Sequence, residues 1–508
     1  MTTLLTRAQH NGRGGEPDEH SVGQLPVGEG RPAGNWFARH PGWPVSGYLM
    51  LYPLWWVLGI ADYMPILLAF PTIRTMYRWR AHRQRPIKVP PGFAIWALFL
   101  IVMVLSVMAI GQTAPQTVVS PVSNRLISYG LRGADYIGVT AVFLYMGNLT
   151  EAEFPRRKLA WLMGLVGIYG VAGGLLGMAD PTFSFTSPLA YLIPQSIQNG
   201  NAQLAVLLHP GSSEIQNLLG YAAGRPKAPF DYTNMWGNCL AIMLPWVIVV
   251  WWSYATTRRQ RFWCVIVFLI ALAPVLYSLD RGLWLGIACS LVYLAVRMAA
   301  RGKLAMLGAF AGLVAIIGVV IITTPAGNVI TTRLQNGKSN SVRASLSGIA
   351  IQDAISSPVI GYGDTRHELG STNSIAVGRT EKCKSCGSRS IGGNGQLWML
   401  LVTNGLLGTG LYLSFFGYAV WRFRRDKTPY GMVGVLVILL GFVFMISYQA
   451  VGPPISFTLL AYVILWRNDT ALRRERAAQA AGPDGQPGPG RPGPGVEGGP
   501  RVLTAGAT

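Results

Sequence analysis

The stretch 277–294, YSLDRGLWLGIACSLVYL, places an aspartate and an arginine, Asp280 and Arg281, inside an otherwise apolar run covering roughly 262–297. A bilayer hydrocarbon core about 30 Å thick takes about 20 helical residues. A run of about 36 residues is therefore two crossings, and Asp280-Arg281-Gly282 reads as the turn between them. The charged pair then lies at a water interface and need not sit at mid-membrane.

The rest of the chain agrees with that reading. Of 508 residues, 51% are hydrophobic and only 12% charged, with mean hydropathy +0.35; soluble domains run about 25% charged. The 42 Lys+Arg against 21 Asp+Glu give a formal charge of +21. That excess falls in short clusters between apolar runs, the pattern of cytoplasmic loops under the positive-inside rule, and not of a nucleic-acid-binding surface. The first 44 residues are polar and Gly-rich, without the apolar core of a secretory signal.

Apolar runs predict twelve spans: 45–60, 62–77, 93–112, 134–149, 159–178, 235–253, 262–279, 282–298, 304–323, 396–420, 430–448 and 454–466. The first two are short, and a re-entrant hairpin is the alternative there. Twelve spans with both termini inside put every short basic cluster on the cytoplasmic side at once. The expected architecture is an all-α integral membrane protein, its membrane domain covering 45–466 with two large extracytoplasmic loops, about 179–233 and 324–394. The ends, 1–44 and 467–508, read as disordered cytoplasmic tails, the second Pro/Gly-rich.

In this topology Asp280 and Arg281 face outward, on the side of both long loops. Arg281 has two readings: it reaches lipid headgroups or pairs with Asp280, or it faces a cavity and binds an anion, for which a permanently charged, forked guanidinium is suited. In the second loop, Val342, Leu346, Ile349 and Ile355 recur at near-helical spacing, with Ser341 placed to cap and Pro358 to stop. This predicts an amphipathic helix with Arg343 in its first turn. A cation there opposes the helix dipole, so Arg343 is either a solvated surface charge or a ligand-binding one. The first loop ends on GRPKAPFDYTN (224–234), with Arg225 and Lys227 just before the sixth span.

The order of these motifs resembles the O-antigen ligase and O-antigen polymerase family of polytopic membrane glycosyltransferases. The residues carrying the resemblance are GRPKAPFDYTN, LDRGLWLG (279–286), Arg343 through Asp353 and Pro358 to GYG (361–363), and NGLLGTGLY (404–412). The match covers roughly 220–415. It implies a GT-C-like fold and an extracytoplasmic transfer of a glycan from a polyprenyl diphosphate carrier to a glycan acceptor. Envelope polysaccharide-assembly proteins would be partners, the plasma membrane the site, and no metal or other cofactor a requirement. Arg281 and Arg343 match the family's two functional arginines; Arg225, Lys227, Asp280 and Asn394 are the expected substrate-binding residues around them.

One departure matters. The ligase branch has a histidine just before the GLLG helix, where this chain has Asn394 and Gln396. His367 lies in the same loop but not at that position. It is either solvated or, with Asp364 and Glu368, a candidate base for the acceptor hydroxyl. Missing the matching histidine favours polymerase over ligase. Cys383 and Cys386, in EKCKSCGSR, are expected to form a local disulfide in an outer loop, since no second Cys/His pair completes a zinc site. Two other functions fit a twelve-span chain: a transporter or flippase for a lipid-linked or anionic substrate, which would favour repeated halves and discontinuous helices, and a non-catalytic assembly partner, which would tolerate loss of both arginines.

Overall fold

The computed structural model describes residues 40–481, apart from 84, 196–197, 199–201, 218–221, most of 303–337, and 369–389. The expected disulfide between Cys383 and Cys386, the ninth span (304–323) for the most part, and residues 1–39 and 482–508 of the two tails lie outside the described residues; 467–481, expected as disordered tail, is helical.

The protein is mostly helical. The helices are α1 (Trp43–Met50), α2 (Tyr52–Leu58), α3 (Met64–Arg83), α4 (Phe93–Leu105), α5 (Val122–Asn148), α6 (Arg156–Ala179) and α7 (Ala202–Leu208), followed by the hairpin β1 (Ser213–Asn217) and β2 (Ala222–Pro226). Then come α8 (Thr233–Pro245), α9 (Arg258–Tyr277), α10 (Arg281–Ala299) and α11 (Lys338–Ser356). The strands β3 (Arg366–His367) and β4 (Ser390–Ile391) precede α12 (Gln396–Phe423), α13 (Pro429–Phe444) and α14 (Pro453–Ala481). Among the described residues, five helical stretches are long and apolar enough to cross a membrane: α6, Thr233–Tyr254, α9, α10 and α12. Tyr52–Leu58 with Ala61–His82 makes a sixth if that pair, bent by 117°, is one broken span. The break sits at Gly59, whose φ of +78° suits glycine.

Several boundaries move. Helix α5 starts twelve residues before the apolar run predicted at 134, and α14 runs past 466 to Ala481, because Ala, Arg and Glu continue a helix where apolarity ends. Helix α11 begins at Lys338, so Ser341 lies inside it and Arg343 in its second turn. The turn in the opening stretch is Ser278–Asp280, and Arg281 and Gly282 are already helical.

Helix α9 begins with a capping box, Thr257 with Gln260, beside Arg258, Arg259 and Arg261. Three cations at a helix N-terminus oppose its dipole; an aqueous membrane boundary explains them better. The other basic segments meet on that side. Arg85 pairs with Glu153 at 2.8 Å, Arg467 with Glu151 at 2.9 Å and Arg422 with Asp469 at 2.8 Å. Arg297 donates to Arg424 O at 2.7 Å.

At the opposite end, two of the quoted motifs explain each other. Helix α12 breaks at Gly405 (φ +66°, ψ −170°). The carbonyls this frees are taken by the segment after α11: Tyr362 N donates to Val402 O at 2.8 Å and Gly363 N to Thr403 O at 3.0 Å. Leu407 N reaches Pro358 O at 3.0 Å. A Cβ at Gly405 would lie 2.6 Å from Ser357 O, and one at Gly361 2.6 Å from Asn404 N. Pro358-to-GYG and NGLLG are two halves of one backbone joint, in which each segment takes up groups that the other leaves unpaired.

Candidate anion site at one end of the helices

Asp280 caps α10, its Oδ1 accepting from Gly282 N at 3.1 Å and from Leu283 N at 3.5 Å. It is 3% exposed. Leu279 before it adopts φ +53°, a left-handed conformation costing a non-glycine residue about 1 kcal/mol or more. Arg225, at the end of β2, reaches the same turn. Its Nε donates to Ser278 O at 2.8 Å, its Nη1 to Gln216 Oε1 at 2.9 Å, and its Nη2 lies 3.9 Å from Asp280 Oδ2. Burial raises the Asp280 carboxyl above its ordinary range, and Arg225 and the Tyr448 hydroxyl pull it back. Helix α8 comes close enough that a Cβ at Gly237 would lie 2.6 Å from Asp280 Oδ2. Arg225 is thus a clamp joining the first loop to the Arg281 turn, its donors engaged within the protein.

Arg281 begins α10 and is half-buried; Arg343 on α11 is also half-buried. The two lie close enough for their like charges to repel. Asn394 stands on the Arg343 side: its Nδ2 donates to Ser347 Oγ at 3.1 Å and to Arg343 O at 3.4 Å, while its Oδ1 is buried without a partner among the described residues. Gln396 is structural, donating to Tyr136 Oη at 2.9 Å and accepting from Ala450 N at 2.9 Å. So Arg225, Asp280, Arg281, Arg343 and Asn394 gather at the end opposite the basic clusters.

Lys227 and His367 keep other company. Burial lowers the Lys227 ammonium, and Asp231 and Glu214 offset part of that. The His367 side chain is exposed. Its backbone pairs with Ser390, and its carbonyl accepts from Val118 N at 2.9 Å. Asp364 is not free to act as a base, since Arg132 holds it at 2.7 Å. Asp353, fully buried, leaves both carboxylate oxygens without a hydrogen bond among the described residues; burial lifts it to about 6 against the pull of Arg366. Among the described residues no group of three or more His, Cys, Asp or Glu is arranged to hold a metal ion. The sequence reading missed Tyr448, whose hydroxyl donates to Asp280 Oδ1, and Asp231, whose carboxyl burial raises and which meets Asp62. Nothing local marks either one.

Fold and site together define a helical membrane protein with a cationic cluster at one end. No protein-family model matches the chain, and no curated protein matches it.

Proposed function

We propose that the protein is a metal-independent glycosyltransferase of the O-antigen ligase/polymerase type. It would move a glycan from a polyprenyl diphosphate to an acceptor sugar outside the plasma membrane, within envelope polysaccharide assembly. One observation carries this reading: Arg281 and Arg343, from separate motifs, stand close enough to repel each other. Two guanidiniums within electrostatic range of one another, with Asp280 offsetting them in part at Arg281, favour an anion that both can reach, and a departing diphosphate is such an anion. The acceptor oxygen bonds to the anomeric carbon as the carbon–oxygen bond to the diphosphate breaks. The bonding pair leaves with the diphosphate, and preorganised cations stabilise that developing charge. The hydroxyl proton passes to water or a base at the outer surface, where His367 is exposed.

The reading takes the span count as twelve in a GT-C-like arrangement, with both termini cytoplasmic. The count comprises the five long stretches, α1 with α2 as one, α3, α4, α5, α13, α14, and the apolar stretch 304–323. The broken α12 gives the transporter reading one point in its favour. Against it, the groups freed at Gly405 are already taken by the backbone of 358–363, so the break offers no open ion seat.

The test is turnover by purified protein with polyprenyl-diphosphate oligosaccharide, read as released lipid diphosphate. Arg281→Ala or Arg343→Ala should cost on the order of 10²–10³ in rate. Lys at either position, which keeps charge but loses the fork, should rescue in part. The double Ala variant should be far less than multiplicatively worse than either single. Wild-type turnover in a stably expressed double variant would overturn the proposal.

A further inference from the structure

The loop between α13 and α14, residues 445–452, touches the turn before Arg281 and the segment 392–397, whose Asn394 holds α11. Tyr448 is 2% exposed, and its hydroxyl donates to Asp280 Oδ1, the oxygen that also caps α10. Its main-chain carbonyl accepts from Gln396 N at 2.8 Å, and Met445 O accepts from Leu397 N at 2.9 Å. Gln449 Nε2 reaches Gly392 O at 3.4 Å. Those bonds hold the chain on both sides of Asn394, whose amide in turn holds Arg343 O and Ser347 Oγ.

The rings fix the same geometry from the side. Phe444 and Tyr448 are neighbours, ring centres 5.1 Å apart. They lie over Gly282 and Gly286, where a Cβ would come within 2.3 Å of Tyr448 Oη and 2.2 Å of Phe444 Cζ. Small residues four apart let another element approach a helix this closely, which accounts for both glycines of LDRGLWLG.

We infer that Tyr448 is a positioning residue: its hydroxyl holds the Arg281 turn and its main-chain carbonyl holds Gln396, two residues from the Asn394 that grips α11, and so it helps set the separation of the two arginines. The inference rests on the diphosphate reading for its purpose, though not for its geometry. Two like charges drift apart unless a scaffold opposes their repulsion. A site that must receive charge without reorganising needs them fixed beforehand. Tyr448 supplies that at both ends, through its hydroxyl and through its carbonyl.

The test uses the full chain in lipid nanodiscs, with all five cysteines replaced and spin labels at Leu285→Cys on α10 and Ser345→Cys on α11, both exposed positions. Both arginines remain. Tyr448→Phe keeps the ring on Gly282 and removes only the hydroxyl. The label-to-label distance should be narrow with Tyr448 and broaden by several ångström in Tyr448→Phe, at unchanged melting temperature. Farnesyl diphosphate should bind roughly fivefold to tenfold more weakly to the variant, because two arginines must converge on one diphosphate. Should Tyr448→Phe fail to fold, Gln449→Ala, which cuts the same loop from Gly392, should broaden the distance instead. An unchanged distance in a folded variant overturns the inference, whatever binding does. A broadened distance in a protein whose parent does not bind farnesyl diphosphate keeps the positioning role and removes the diphosphate reading.

Discussion

At the scale of single residues, Asp353 shows how burial alone creates a titratable liability. Its carboxyl has no hydrogen-bond donor among the described residues, and burial lifts it from 3.8 to about 6. A folded value above the unfolded one means that the protonated form favours folding. That contribution is complete below about pH 4 and is lost as pH rises through about 6. At pH 8 the buried charge costs about 2–3 kcal/mol, at 1.36 kcal/mol per unit. Asp353→Asn should therefore raise the melting temperature at pH 8, by roughly 2–4 °C, and leave it nearly unchanged at pH 4. Equal effects at both pH values would mean that Asp353 is already neutral or already paired. Arg366, also buried and lowered to about 10, stays charged throughout that range. None of this is visible in the string DAISSP, where Asp353 looks like any polar position on an amphipathic helix.

The elements are decided by their contacts more than by their composition. Helix α10 is apolar along most of its length, yet only Leu283 and Gly286 of its side are buried, and Val292 and Val296 are 65% and 61% exposed. Its attachment is concentrated where the two glycines receive Tyr448 and Phe444. Gly286→Ala puts a methyl 2.2 Å from Phe444 Cζ and should destabilise by about 1–3 kcal/mol, the usual cost of overpacking. Gly417 in α12 has nothing within 4 Å of its Cβ position, so Gly417→Ala should be neutral or stabilising. Detergent-solubilised melting curves of the two variants check the contrast, and comparable losses in both would refute the packing argument. Helix identity was legible from apolar runs. The closeness of α10 to the loop at 445–452 was not, because a glycine in a sequence does not say what presses on it.

For the whole molecule, sidedness is the property most open to test. The basic segments meet one another at one end, through pairs such as Arg85–Glu153 and Arg422–Asp469, and the site residues meet at the other. Loop alternation along the sequence expects this partition. The excess of Lys and Arg at the first end is what the positive-inside rule expects of a cytoplasmic face. A reporter active only in the cytoplasm should work when fused after residues 90, 300 and 428 and fail after 215 and 370. Activity at 370 would invert the orientation and remove the extracytoplasmic transfer with it.

The amino-acid sequence by itself determined the class of molecule, because twenty-residue apolar runs have few stable states other than helices in lipid. It also marked Arg281, a guanidinium at the edge of an apolar run, and Arg343, a cation near the start of an expected helix whose dipole it opposes. Only the tertiary structure decided that these two approach each other, that Arg225 is spent on Ser278 and Asp280, and that His367 lies among Ser390 and Val118. Tyr448 and Asp280 are 168 residues apart in the chain. A hydrogen bond across that distance is set by how helices pack, and helix packing depends on shapes that a linear pattern of polarity does not encode.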